Sequence, residues 1–120
     1  MNIHESAEDY LETILMLRNE KGYVRSVDIA AHLGVTKPSV SFAMKRLREN
    51  GYIEMDEESL ITLLPKGEAI ASRILDRHTV LSAFLMQLGV GEEQAMEDAC
   101  KIEHDISEET FAAIRAQLKA

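Results

Sequence analysis

The chain has 120 residues, of which 46% are hydrophobic, and its formal net charge is −8 at pH 7. This length allows one domain or two very small ones, and the low glycine and proline content predicts a globular, helix-rich protein rather than a disordered one. No apolar run approaches the roughly 20 residues that a membrane-spanning helix needs. The N-terminal residues show no secretory pattern and the single cysteine cannot form an internal disulfide, so we expect a cytoplasmic protein.

The negative charge is unevenly distributed along the chain. Residues 1–51 contain seven Lys or Arg and seven Asp or Glu, whereas residues 52–120 contain six and fourteen. Residues 35–48 contain four basic residues and no acidic one. Because DNA binding depends on local positive charge more than on the total, the net charge of −8 does not exclude it.

Hydrophobic spacing, capping residues and turn residues predict a mainly α fold with one β-hairpin. The predicted N-caps of the first three helices are Ser6, Ser26 and Thr36. In chain order, the predicted elements are helices over residues 6–18, from Ser26 to a closing Gly34, and from Thr36 to about Asn50, then strands at 52–55 and 60–63, then helices over 65–88, over 92–104 and from 107 onwards. Three helices followed by a hairpin and further helices are typical of a winged helix-turn-helix with a helical extension.

Residues 26–45 have the spacing of a helix-turn-helix. Ala30 is small where two helices would cross, Gly34 permits a tight turn, and Val40 packs back between the helices. The other residues predicted to face inwards are Ile29, Leu33, Val35 and Ala43. The residues predicted to contact DNA are Thr36, Lys37, Pro38, Ser39 and Ser41 near base edges and phosphates, with Arg25 and Lys45 on the backbone.

A helical hairpin with solvated lysines is the simpler interpretation of the same residues. The acid-free basic segment and the hairpin that follows it favour DNA binding instead. The tip of the predicted wing is acidic, which indicates that the wing does not grip phosphate. Its acidic residues are Glu54, Asp56, Glu57 and Glu58.

The segment around Cys100, Glu103 and His104 suggests a metal site. On a helix, residues at i, i+3 and i+4 share one face, so a thiol, a carboxylate and an imidazole would converge within one turn. Thiolate and imidazole suit divalent transition metals, and a carboxylate favours iron or manganese. Taken singly, the cysteine is more often a small buried residue, and the other two more often form a solvated helix end.

Four segments resemble the diphtheria toxin repressor family, the iron- and manganese-dependent repressors. They are residues 8–14, residues 34–41, the pair Arg77 and His78, and residues 98–107. The resemblance implies a winged helix-turn-helix DNA-binding domain at 1–64 and a helical metal-binding and dimerisation domain at 65–120. It also implies metal-activated repression at palindromic operator DNA by a homodimer, which apolar positions on the last three helices favour.

The same resemblance implies a set of metal ligands. The members matched to the manganese-sensing branch are Asp9, Glu12 and His78; those matched to both branches are Glu103 and His104; the one matched to the iron-sensing branch is Cys100. Ser82 and Met96 stand where the iron branch has the carboxylate and histidine of a second site. The set is a hybrid that suits Fe(II) or Mn(II), and it leaves open which metal binds and whether one ion or two are held.

Ligands from helices one, four and five lead to the hypothesis that metal and DNA raise each other's affinity. Three rival interpretations remain at this point: a winged-helix regulator that does not sense metal, a small metalloenzyme with Glu103 as general base, and a protein-interaction module. We expect no enzyme, because the sequence has neither a nucleotide-binding glycine loop nor a nucleophile elbow.

Overall fold

The computed structural model describes residues 5–118, so the predictions that concern residues 1–4 lie outside the described part of the chain. The described chain forms six helices and one two-stranded sheet. In chain order these are α1 (Glu5–Lys21), α2 (Ser26–Leu33), α3 (Lys37–Glu49), β1 (Ile53–Met55), β2 (Ile61–Leu63), α4 (Pro65–Gln87), α5 (Glu92–Ile102) and α6 (Glu108–Gln117).

The chain divides into two compact units, one up to residue 72 and the other from residue 73. The first unit contains α1 to α3, the hairpin and the start of α4; the second contains the rest of α4 with α5 and α6. The predicted fold class, a winged helix-turn-helix followed by a helical region, is confirmed. The domain boundary between residues 64 and 65 stays a prediction. Across residues 5–118, no helix is both long and apolar enough to cross a membrane.

α1 is longer than the sequence predicted. The N-cap predicted at Ser6 is wrong, because Glu5 is already helical. The helix continues to Lys21 and stops where Gly22 adopts a φ of 86°, a conformation that glycine reaches without strain. The buried apolar residues of the helix are Leu11, Ile14, Leu15 and Leu17.

α2 ends as predicted but begins differently. Ser26 is its first residue, and the N-cap position belongs to Arg25. The reason is the Asp28 carboxylate, which accepts a hydrogen bond from the backbone N–H of Arg25 at 3.0 Å. Gly34 closes the helix in the left-handed conformation, with a φ of 68°. Val35 was predicted to face inwards; it is 39% exposed because it follows this turn.

α3 begins at the predicted cap. The Thr36 side chain accepts a hydrogen bond from the backbone N–H of Ser39 at 3.3 Å, and Pro38 lies in the first turn, where a missing N–H costs nothing. The residues that α3 buries are Val40, Met44 and Leu47. They recur at helical spacing, so the opposite face of α3 is left to solvent.

The strands form an antiparallel hairpin in which Glu54 pairs with Thr62. At its tip, Oδ1 of Asp56 accepts hydrogen bonds from the backbone N–H groups of Glu58 and Leu60, at 2.8 and 3.0 Å. The acidic tip is therefore a closed turn, in which one carboxylate is used to hold the backbone.

Gly67, in the first turn of α4, packs directly against the backbone of Tyr52. A Cβ atom at this position would collide with the carbonyl oxygen of Tyr52, which also accepts a hydrogen bond from the N–H of Leu64 at 3.0 Å. The Tyr52 side chain is buried. The start of α4 is thus fixed to the strand region by a contact that only glycine allows.

The second unit has its own apolar core. The fully buried members of this core are Val80, Leu81, Ala99 and Phe111, and the half-buried residues packed on them are Ile102, Ile106, Ile114 and Leu118. α5 ends at Ile102, so the prediction that it reaches His104 is wrong. The chain turns over residues 103–106 and then enters α6, where Ser107 accepts a hydrogen bond from the N–H of Thr110 at 3.1 Å, as the sequence predicted.

Gly67→Ala should destabilise the first unit by about 1–3 kcal/mol, because the added methyl group meets a backbone carbonyl that cannot turn aside. Denaturant unfolding measures the change. Gly91→Ala is the matched control, since a Cβ there meets no atom within 4 Å. Equal midpoints for the two variants would contradict this account.

Candidate metal centre and DNA-binding surface

The second unit brings three of the predicted ligands together. His78 lies in the middle of α4, Cys100 lies in the last turn of α5, and Glu103 is the C-cap residue of α5. His78 Nδ1 lies 3.0 Å from Oε2 of Glu103 and 3.7 Å from Sγ of Cys100. One donor atom from each residue lies within 4.8 Å of the others, which is the spacing that a single cation can bridge.

Glu103 is the buried member of this cluster. Its side chain is 0% exposed, and its Oε1 atom has no hydrogen-bond partner in the described chain. The imidazole of His104 is a neighbour of that atom, with Nε2 at 3.6 Å. A buried carboxylate oxygen without a hydrogen bond is costly, and a cation would remove this cost. The donor set of nitrogen, sulfur and oxygen therefore fits a divalent transition metal.

Protonation of His78 is strongly affected by its neighbours. The hydrogen bond with Cys100 is the largest cause of a shift that raises the pKa of His78 to about 10, and the hydrogen bond with Glu103 is the next largest. Negative charge on these two neighbours adds to the shift, and partial burial opposes it. Without metal, the imidazole is therefore protonated at neutral pH and donates from Nδ1 to the Glu103 carboxylate. Coordination of a metal by this imidazole nitrogen would require the loss of that proton.

The remaining predicted ligands lie elsewhere in the chain. Asp9 and Glu12 lie three residues apart on α1 of the first unit. His104 lies beyond the end of α5, beside Oε1 of Glu103, whereas Cys100 lies beside His78, which contacts Oε2. The Cys100 thiol and the Glu103 and His104 side chains therefore do not share one helical turn, because α5 ends at Ile102. All six ligand assignments stay predictions.

Arg77 entered the sequence analysis only as half of a pair that resembles the family, and no role was predicted for it. Its buried guanidinium donates to the carbonyl oxygens of Glu103 and Ile106, at 3.0 and 2.9 Å, and to the Glu108 carboxylate at 2.6 Å. It also lies over the ring of Phe111, with 5.2 Å from the guanidinium carbon to the ring centroid. One side chain of α4 therefore holds the turn that carries the candidate ligands.

The predicted DNA-contacting residues lie on the surface of the first unit. All seven are exposed: Arg25, Thr36, Lys37, Pro38, Ser39, Ser41 and Lys45. The hydroxyl of Thr36 is engaged with Ser39, to whose Oγ it donates at 2.9 Å. The exposed face of α3 also contains Phe42, which was not among the predicted residues.

A helix-turn-helix with an exposed basic helix in one unit, and a His, Cys and Glu cluster in the other, define a metal-responsive DNA-binding protein. Comparison with protein-family models agrees with this class. Residues 2–59 match the iron dependent repressor N-terminal DNA binding domain, and residues 64–120 match the iron dependent repressor metal binding and dimerisation domain.

Curated relatives cover most of the chain. The transcriptional regulator MntR of Escherichia coli is 43% identical over 111 residues, which are 92% of this chain and 72% of that protein. The HTH-type transcriptional regulator MntR of Lysinibacillus sphaericus is 40% identical over 102 residues, covering 85% of this chain and 73% of that protein. The chain belongs to the iron-dependent repressor family.

Solved structures show the same fold. The crystal structure of T. acidophilum IdeR has a TM-score of 0.81 and 30% identity, covering 98% of this chain and 55% of that one. A manganese-dependent transcriptional repressor in complex with manganese has a TM-score of 0.83 and 29% identity, covering 93% and 52%. This chain spans about half the length of these two structures.

Metal binding should release a proton and strengthen as the pH rises. Because the pKa of His78 is raised to about 10, the imidazole must lose its proton to coordinate. Below pH 10, release of this proton should raise the apparent affinity by about tenfold per pH unit. Calorimetry of Mn(II) binding in buffers of different ionisation enthalpy counts the protons. His78→Gln has no such proton and should release one fewer, and a heat independent of the buffer for the wild-type protein would refute the assignment.

Arg77→Met should weaken metal binding at least about tenfold while it also lowers the free energy of unfolding by about 3 kcal/mol, because two carbonyl groups lose a charged donor. Arg77→Lys keeps one donor and should recover part of the metal affinity. Lys101→Ala is the control, since Lys101 is an exposed residue on α5. A folded Arg77→Met protein with wild-type metal affinity would show that the arginine has no positioning role.

Proposed function

We propose that this protein is a metal-dependent transcriptional repressor that binds palindromic operator DNA as a homodimer when Fe(II) or Mn(II) is present, and so controls metal homeostasis genes. The observation that carries the proposal is the cluster of His78, Cys100 and Glu103, whose buried carboxylate oxygen lacks a hydrogen bond. The other unit of the same chain presents a basic helix-turn-helix.

The residues that would hold the metal are His78, Cys100, Glu103 and His104, with Asp9 and Glu12 added by the family resemblance. A bound divalent cation supplies positive charge that offsets the carboxylates and draws the donor atoms together. One similar solved structure is a manganese-dependent transcriptional repressor in complex with manganese, which favours Mn(II), whereas the thiol of Cys100 favours Fe(II) and metals later in the Irving–Williams order.

On the DNA side, the amino-terminal end of α3 would enter the major groove. Lys37, Ser39 and Ser41 would meet base edges and phosphates there, while Arg25 and Lys45 would contact the backbone. Thr36 would act mainly through the helix cap, since its hydroxyl already bonds Ser39. The acidic turn at the hairpin tip would keep the wing away from phosphate.

A palindromic operator requires two copies of the reading helix, and the second matched family model is a dimerisation domain, which supports the proposed homodimer. The role is regulatory rather than catalytic, in keeping with relatives that are named transcriptional regulators. Because the operator is genomic DNA, we propose that the protein works in the cytoplasm.

His78→Ala and Glu103→Ala should each weaken Mn(II) binding and abolish metal-dependent DNA binding, because each removes a donor atom from the cluster. Lys37→Ala should weaken DNA binding and leave Mn(II) binding in the absence of DNA unchanged, because Lys37 belongs to the other unit. Fluorescence anisotropy on a duplex selected by the wild-type protein, at buffered free Mn(II) and Fe(II), measures both effects.

The wild-type protein with EDTA is the control for these variants, and circular dichroism checks that they fold. If wild-type affinity for the duplex is the same with Mn(II), Fe(II) and EDTA, the protein binds DNA without sensing these metals and the proposal fails.

A further inference from the structure

The face of α3 that points away from the core contains a large apolar side chain. Phe42 is 63% exposed, one of the most exposed large hydrophobic residues in the described chain. It lies two residues from Val40 and two from Met44, both buried, and is therefore about half a turn round the helix from the packed face. The ring borders a shallow groove that Tyr10 and Leu47 also line, but packing within the first unit leaves most of its surface in solvent.

The surroundings of Phe42 are those of a DNA-reading surface. Pro38 lies one turn before it on the same face, and Lys45 lies one turn after it. The guanidinium carbon of Arg46 lies 5.7 Å from the centroid of its ring. From residue 35 to residue 48 no acidic side chain interrupts this face. An exposed ring flanked by Arg46 and Lys45 is suited to bind a polyanion such as DNA, provided that the surface it meets also offers an apolar group.

The major groove of DNA offers one apolar group, the C5-methyl of thymine, and apolar side chains such as phenylalanine contact it directly. We propose that Phe42 reads a thymine methyl in each half of the operator, with Arg46 holding the ring and contacting the adjacent phosphate. This inference rests on the proposed DNA binding. It adds a specificity-determining residue that is not among the DNA-contacting residues predicted from the sequence.

A deoxyuridine scan tests the proposal, because replacing dT with dU removes only the methyl group. The probe is a duplex selected from a random library by wild-type protein with Mn(II), and each thymine is replaced in turn. Wild-type protein should lose about fourfold in affinity at one thymine of each half-site, the loss expected for one methyl group. Phe42→Ala should bind the dT and dU duplexes equally at that position and retain the wild-type losses elsewhere.

Two further variants sharpen the test. Phe42→Leu keeps an apolar contact and should retain part of the preference for dT over dU. Leu88→Ala removes another exposed apolar side chain, 65% exposed and in the second unit, and should leave the scan unchanged. If wild-type and Phe42→Ala proteins give the same scan, Phe42 does not read thymine although DNA binding stands. If wild-type protein selects no duplex, the proposed function itself fails.

Discussion

The carboxylate of Glu103 is the group on which the second unit depends. It is fully buried, one of its oxygens bonds His78, and the other lies near His104 without a hydrogen bond. A buried carboxylate in such a place needs a hydrogen-bonding or positive partner, and His78, whose pKa is raised to about 10, lies against it. Contact between this imidazole and this carboxylate therefore helps to hold the candidate ligands within reach of one another.

Arg77 stabilises the backbone of the turn that begins at Glu103. The turn over residues 103–106 has carbonyl groups that lie outside any helix, and a buried arginine of α4 donates to two of them, those of Glu103 and Ile106. Because the same guanidinium reaches α6 through Glu108, the three helices of the unit meet at one side chain. The chemistry of Glu103 and the stability of the turn are thus linked by hydrogen bonds to the main chain.

The fold class and the order of elements could be predicted because Gly34, Thr36 and Ser107 are strong local signals that the structure retains. The family was predicted separately, from the resemblance of four segments. Two helix ends were predicted wrongly because a side chain outside the capping position determines them. The N-cap of α2 is Arg25 rather than Ser26, because the Asp28 carboxylate accepts a hydrogen bond from the Arg25 N–H. α5 stops before His104, because Arg77, 26 residues away in the sequence, stabilises a turn that begins at Glu103. Phe42 could have been found from helical spacing alone, since it lies opposite Val40.

The acidic turn at the hairpin tip affects how much of the DNA-binding free energy comes from phosphates and how much from base edges. In the proposed DNA-binding mode, a wing held away from phosphate would leave α3 and its flanks as the main cationic surface, so each subunit would displace few counterions from the duplex. Non-specific attraction would then be weak, and contacts to base edges would make up a larger share of the binding free energy. Such a protein would distinguish its own sites from the rest of the genome by sequence preference rather than by high total affinity.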